Sequence, residues 1–184
     1  MTDFIDSYLD AQPRLPWQIV THGCMERAFV TATRLLALQQ ERPGILHNVR
    51  TIWLRPRTGD QLIANSLSGP IEWRLHAAAA FRHKDQHYVA DRSLHLHSVP
   101  FEEYCMGFEN AEVGDCPLTL VGMSAPIVLV SGPDGEASMV FRPDVRNRLH
   151  EECHMPSQPT LAEAAAAVTT ILNNDSYALA GLKL

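Results

Sequence analysis

Apolar positions along the 184-residue chain recur at two periods, which divide it into helical and extended stretches. Residues 1–20 carry Phe4, Ile5, Tyr8 and Leu9 at helical spacing, predicting a short helix that stops before Pro13 and Pro16. Gly23 and Cys24 open a longer helical pattern of Ala28, Phe29, Ala32, Leu35 and Leu36, with Arg27, Thr31, Arg34 and Gln39 facing elsewhere. Pro43-Gly44 ends it. Val49, Ile52 and Trp53 predict a strand over 47–55. The cleanest alternation runs over 71–82. Ile71, Trp73, Leu75, Ala77, Ala79 and Phe81 share one face, and Glu72, Arg74, His76 and Ala78 the other. The polar turn His83-Lys84-Asp85-Gln86 then returns the chain as a partner strand over 87–91.

Further on, a short helix is expected over 101–108 and strands over 118–121 and 126–131, with Gly132-Pro133-Asp134-Gly135 as a turn. Thr160 and Glu163 make a capping box that opens a C-terminal helix bearing Leu161, Ala165, Val168 and Leu172. No internal repeat or linker-like stretch interrupts the pattern. It reads as a single α+β domain with an antiparallel sheet over 1–184.

Composition narrows the class. Hydrophobic residues at 46% and charged residues at 20% exclude a disordered or fibrous chain. No apolar run nears the roughly 20 residues that cross a bilayer. The acidic start MTDFIDSYLDAQPR lacks the regions of a signal peptide. The expectation is a cytoplasmic protein, or one exported without a cleavable signal, with no membrane partner. A formal charge of −6 argues against nucleic acid as a partner. Cys24, Cys105, Cys116 and Cys153 show no CxxC spacing, so free thiols are expected.

One of these cysteines is placed for chemistry. Cys24 sits where a loop meets the first turn of a long helix, and the positive helix end with its free N–H groups favours the thiolate, the nucleophilic form. His76 lies on the polar face of its strand, away from the face of Trp73 and Leu75. If Arg82 pairs with His87 across the turn, Ala78 lies opposite Asp91, and His76 and Asp91 become diagonal neighbours roughly 7–8 Å apart at the backbone. A thiol, an imidazole that takes its proton and a carboxylate that orients the imidazole make a nucleophilic triad.

Three segments carry a resemblance. Cys24-Met-Glu-Arg27-Ala28 on a helix, Trp73-Arg-Leu-His76-Ala77 on a strand and Tyr88-Val-Ala-Asp91-Arg-Ser93-Leu94 on the next resemble the bacterial protein-glutamine glutaminases. That resemblance spans roughly 17–105. It implies a papain- and transglutaminase-like α+β fold, with an antiparallel sheet packed against a helix that opens with the nucleophilic cysteine. It also implies a protein deamidase that hydrolyses glutamine side chains to glutamate, with Cys24, His76 and Asp91 as the triad and no cofactor. The implied partner is a glutamine-bearing protein or peptide. The backbone N–H of Cys24 is one oxyanion donor and Gln18 a candidate for the second. Trp73 is a candidate substrate contact. The chain departs from the family at Arg92, where proline is common, and at Phe29, where histidine is frequent.

Other arrangements compete. The same triad serves thiol proteases and acyltransferases, and a binding module can keep the fold without a competent site. His150-Glu151-Glu152-Cys153-His154 satisfies H-E-x-x-H, the helix-face zinc pattern, with Glu163 as a third ligand. Pro156 ends that helix almost at once, and nine histidines in one chain make a chance match easy. His95 with His97 and His83 with His87 are weaker metal pairs, and Arg50, Arg55, Arg57 and Arg74 are candidates for a basic patch.

Overall fold

A computed structural model of the chain describes residues 2–12, 14, 15, 17, 23–66, 69–116, 127–131 and 137–141. Two helices come first, α1 (Asp3–Asp10) and α2 (Cys24–Glu41). Strands β1 (His47–Pro56), β2 (Leu62–Ser66), β3 (Gly69–Trp73), β4 (His76–His83), β5 (Gln86–Ala90) and β6 (Val99–Pro100) follow. The short helix α3 (Phe101–Met106) leads into β7 (Phe108–Glu109), β8 (Ala111–Cys116), β9 (Ile127–Ser131) and β10 (Ala137–Phe141). The architecture is α+β, and every strand pairing among the described residues is antiparallel.

The largest sheet has the order β6-β5-β4-β1-β8. Its central strand β4 carries four consecutive alanines, Ala77 to Ala80, and is buried on both faces. On one face Ala79 and Phe81 pack with Ala32, Leu35 and Leu38 of α2 and with Ile5 of α1. On the other, Ala78 and Ala80 join Ile52, Leu54, Val89, Leu94, Tyr104 and Phe108. Small side chains on a central strand let layers on both sides approach closely, which is how a continuous alanine run becomes core.

The strand expected over 71–82 is interrupted at Arg74 and Leu75. Trp73 pairs with Leu62 in a second sheet, β3-β2-β7, whereas His76 pairs with Leu54 in the first. Two sheets claim the two halves, so the alternation does not carry across the break. Trp73 therefore lies in the same buried cluster as Ala78 and Ala80, not on the face opposite His76. The turn is also tighter than expected: Lys84 and Asp85 form it alone, with Lys84 at φ 55°. Arg82 still pairs with His87.

α2 is buried far beyond its predicted stripe. Arg27 and Thr31 are buried with Leu35 and Leu38, while Leu36 is only half-buried. The Arg27 guanidinium lies 5.7 Å from the Trp17 ring, so the supposed outer face is covered. Strands β2, β6, β7, β8 and β10 are additions to the pattern read from sequence. The expected strand over 118–121, the turn at 132–135 and the C-terminal helix lie outside the described residues. No helix among the described residues is long and apolar enough to cross a membrane.

β8 reads poorly as a strand because glycine and aspartate disfavour extended structure. Its pairing with Thr51 to Pro56 of β1 overrides that preference. Trp53 stands opposite Gly114, and a Cβ at Gly114 would meet the indole at 2.1 Å. Arg55 also lies over this ring, 5.4 Å from its centroid. Gly114→Ala is therefore expected to lower stability by about 1–3 kcal/mol, the usual range for overpacking. Urea unfolding checks this; an unchanged midpoint would mean that the indole moves aside freely.

Candidate active site

Gly23 precedes α2 in the left-handed region at φ 76°, a conformation that glycine adopts without strain, and Cys24 is the first helical residue. The Arg27 N–H donates to the Gly23 carbonyl at 3.1 Å. The N–H groups of the preceding turn have no intrahelical acceptor, as at every helix start. Cys24 is 7% exposed, and its thiol donates to the Leu75 carbonyl at 3.9 Å, the residue immediately before His76.

His76 begins β4, and Asp91 directly follows β5. Both are almost fully buried, at 1% and 2% exposure. His76 Nε2–H donates to Asp91 Oδ2 at 2.7 Å. The same oxygen accepts from the Tyr104 hydroxyl at 2.8 Å. Asp91 Oδ1 accepts from the Ser93 N–H at 3.0 Å and from the Ser93 hydroxyl. A carboxylate with four donors has its orientation fixed. Two rings fix the imidazole: Trp73 stacks on it at 4.1 Å between centroids and 15° between planes, and Phe108 lies tilted at 5.9 Å.

Electrostatics follow from this geometry. Burial alone would strip His76 of its charge. The charge and hydrogen bond of Asp91, with further contributions from Cys24, outweigh it and raise the imidazole to about 9. Burial likewise penalises the Asp91 carboxylate, yet His76 and the hydrogen bonds from Ser93 and Tyr104 hold it at about 2. The imidazolium–carboxylate pair is thus the stable form at neutral pH. Asp91 occupies Nε2, which leaves Nδ1 as the ring nitrogen open to the thiol. Nδ1 is buried without a partner at hydrogen-bond distance, so its contact with Cys24 is looser than a formed bond. Catalytic contacts are commonly long before substrate arrives. Arg27, buried nearby, feels the charges of Cys24 and Asp91, although burial lowers its pKa from the ordinary value.

The expected diagonal approach of His76 and Asp91 is present, and Cys24 reaches the pair from the helix. Trp73, expected to touch substrate, presents a ring face to His76. Gln18 and the residues His150, Glu151 and His154 lie outside the described residues. Cys24 and Cys105 are free thiols. His83 is engaged by the Ile45 carbonyl at 2.6 Å. Among the described residues no group of three or more His, Cys, Asp and Glu side chains is placed to share a metal ion. Arg55 pairs with Glu112 at 3.0 Å, and Arg57 donates to the Ala111 carbonyl at 3.3 Å, so neither adds to a free basic patch.

Two contributors went unread. Tyr104 comes from α3, with no local signal linking it to Asp91. Ser93 follows Asp91 by two residues, the spacing at which an Asx turn forms, and that signal was available. Arg92, where the family pattern commonly has proline, ties Asp91's loop to α1 by donating to Asp6 at 2.9 Å. Phe29 is fully buried core.

An α+β framework holding buried ionisable groups with mutually perturbed pKa values is the usual setting of an enzyme centre. Residues 2–106, more than half of the chain, match the family model described as glutaminase. The chain belongs to this glutaminase family. Neither a curated protein nor a solved structure matches it. Membership makes the chain a glutamine-directed amide hydrolase, with a glutamine-bearing substrate. Cys24, His76, Asp91 and Tyr104 all fall inside the matched segment.

Proposed function

We propose that this chain is a single-domain, papain- and transglutaminase-like cysteine hydrolase that deamidates glutamine side chains in proteins or peptides. Cys24 is its nucleophile, His76 its acid and base, and Asp91 the residue that orients His76. The observation that carries this reading is the buried 2.7 Å His76–Asp91 pair beside the thiol that opens α2.

With the Cys24 proton already held on Nδ1 of the His76 imidazolium, the thiolate sulfur leaves the Leu75 carbonyl and bonds to the carboxamide carbon. The negative oxygen that results is stabilised by N–H groups at the start of α2, the Cys24 N–H among them. His76 then protonates the nitrogen, the C–N bond breaks, and ammonia leaves a thioester. Water adds to the thioester carbon as His76 takes its proton. The C–S bond breaks, leaving a glutamate side chain in the substrate and restoring the thiolate–imidazolium pair. Each half-reaction uses one proton held at one ring nitrogen. Trp73 over the imidazole fits this task because an aromatic face both excludes water and attracts the cationic ring.

Ammonia release from a panel of glutamine-containing proteins tests the proposal. The expected result is ammonia in proportion to new glutamate, with no backbone cleavage. Prolonged chelation is expected to leave the rate unchanged. Loss on chelation with recovery on added zinc would move the chemistry to His150-Glu151-x-x-His154.

A further inference from the structure

Beyond Arg27, α2 presents Thr31 and Arg34 one and two turns further along the same side. They border a cavity of about 510 Å³ that Arg14, Arg92 and Asp10 also line. Three buried polar atoms of these residues have no hydrogen-bond partner: Thr31 Oγ1, Arg34 Nη2 and Arg92 Nε. Thr31 is only 3% exposed. A buried donor left unmade costs about 1–3 kcal/mol, and more when charged, so three around one cavity point to a shared acceptor.

The charges say which kind. Arg92 is neutralised where it stands, by Asp6 at 2.9 Å and Asp10 at 3.2 Å. Neither Arg14 nor Arg34 has an ion-pair partner among the described residues. Burial lowers the pKa of Arg34 from its ordinary value, a penalty that a bound anion would offset. Two uncompensated guanidinium groups with two further donors match a dianion with three free oxygens better than a carboxylate with one charge and two oxygens.

We propose that this cavity binds a phosphate group through Arg14, Arg34, Arg92 Nε and Thr31 Oγ1. The source is free phosphate or a small phosphomonoester, whose organic part the remaining volume accommodates. The site is separate from the Cys24 thiol, although Arg92 and Ala90 flank Asp91 in sequence. Its test reads binding rather than turnover and so stands or falls independently of the deamidase proposal.

Calorimetric titration of the full chain, at constant ionic strength in chloride, uses inorganic phosphate in one arm and glycerol phosphate in the other. Saturable one-to-one binding is expected. Arg34→Gln and Arg14→Gln should each weaken it about tenfold or more, the effect of losing one charge-assisted hydrogen bond. Thr31→Val should weaken it several-fold. Tighter binding of glycerol phosphate identifies an organic phosphate as the ligand, and equal binding identifies free phosphate. Arg14 is exposed, so Arg14→Gln keeps the test sound even if Arg34→Gln fails to fold. No saturable heat in either arm, as from a cavity filled with water, overturns the proposal. So does wild-type binding by Arg14→Gln.

Discussion

Cys24→Ala is expected to abolish ammonia release and to leave the fold standing. Removal of a triad nucleophile lowers turnover on the order of 10⁶-fold, because the remaining groups have nothing to bond to the substrate carbon. The structural cost is small by comparison. The thiol's hydrogen bond to the Leu75 carbonyl is long, 3.9 Å, and alanine is the best residue for continuing a helix. A buried sulfur lost from the start of α2 costs about 1 kcal/mol, visible as a melting shift of a few degrees. His76 should report the change too. Cys24 is one of the groups that raise the imidazole, so its pKa should fall from about 9 in the variant. The paired measurement is turnover with an NMR titration of His76. Retained turnover in Cys24→Ala would remove the triad at its root, whatever the imidazole does.

The His76–Asp91 pair was legible because its separation depends on local quantities. A polar turn fixes a hairpin register, and Arg82 opposite His87 fixes where Asp91 falls relative to His76. That inference survived a wrong turn length because residues 83 and 86 merely pair when the loop shortens. The surroundings of His76 were not legible, since they depend on which sheet each half of 71–82 joins. Pairing of Trp73 with Leu62 is a contact eleven residues away, and nothing in the alternation marks the break at Arg74 and Leu75. β8 stayed hidden for the converse reason: its residues resist extension, and only partnership with β1 extends them. Arg27 and Thr31 looked solvated because helical periodicity assigns faces by polarity. Covering by Trp17 and by the segment after Asp91 puts polar side chains inside. Polar residues buried against expectation then coincide with the two proposed sites, the proposed triad at one end of α2 and the proposed phosphate cavity along its side.

Asp91→Asn separates orientation from nucleophilicity, and its effect can be worked out atom by atom. In the wild type, Oδ1 accepts from Ser93, and Oδ2 accepts from His76 Nε2–H and from Tyr104. Asparagine can keep the Ser93 bonds through its carbonyl oxygen, which turns its NH₂ group toward His76 and Tyr104. Two donors then face each other unless Nε2 gives up its proton. The ring responds by carrying its proton on Nδ1, the nitrogen that must accept from the thiol. Turnover should fall about 10²-fold, within the range of acid–base contributions. It should not fall to zero, because the thiol remains. The pH dependence has a definite sign. The folded pKa of His76, about 9, lies above its ordinary 6.5, so its stabilising contribution is complete below pH 6.5 and is lost as pH rises through 9. The folded pKa of Asp91, about 2, lies below 3.8, so its contribution is complete above pH 3.8 and is lost as pH falls through 2. Wild-type stability from this pair therefore holds between pH 3.8 and 6.5 and declines on either side, a dependence that Asp91→Asn should flatten. Without the carboxylate, burial prevails and the imidazole pKa drops, so the alkaline limb of the rate near pH 9 should move toward acid. Tyr104→Phe serves as the control: it removes one donor from Oδ2 but leaves the His76 bond, so only a few-fold loss with little movement of the limb is expected. If Asp91→Asn instead keeps the wild-type rate and alkaline limb, the Asp91 carboxylate serves packing alone, and the group that orients His76 lies elsewhere.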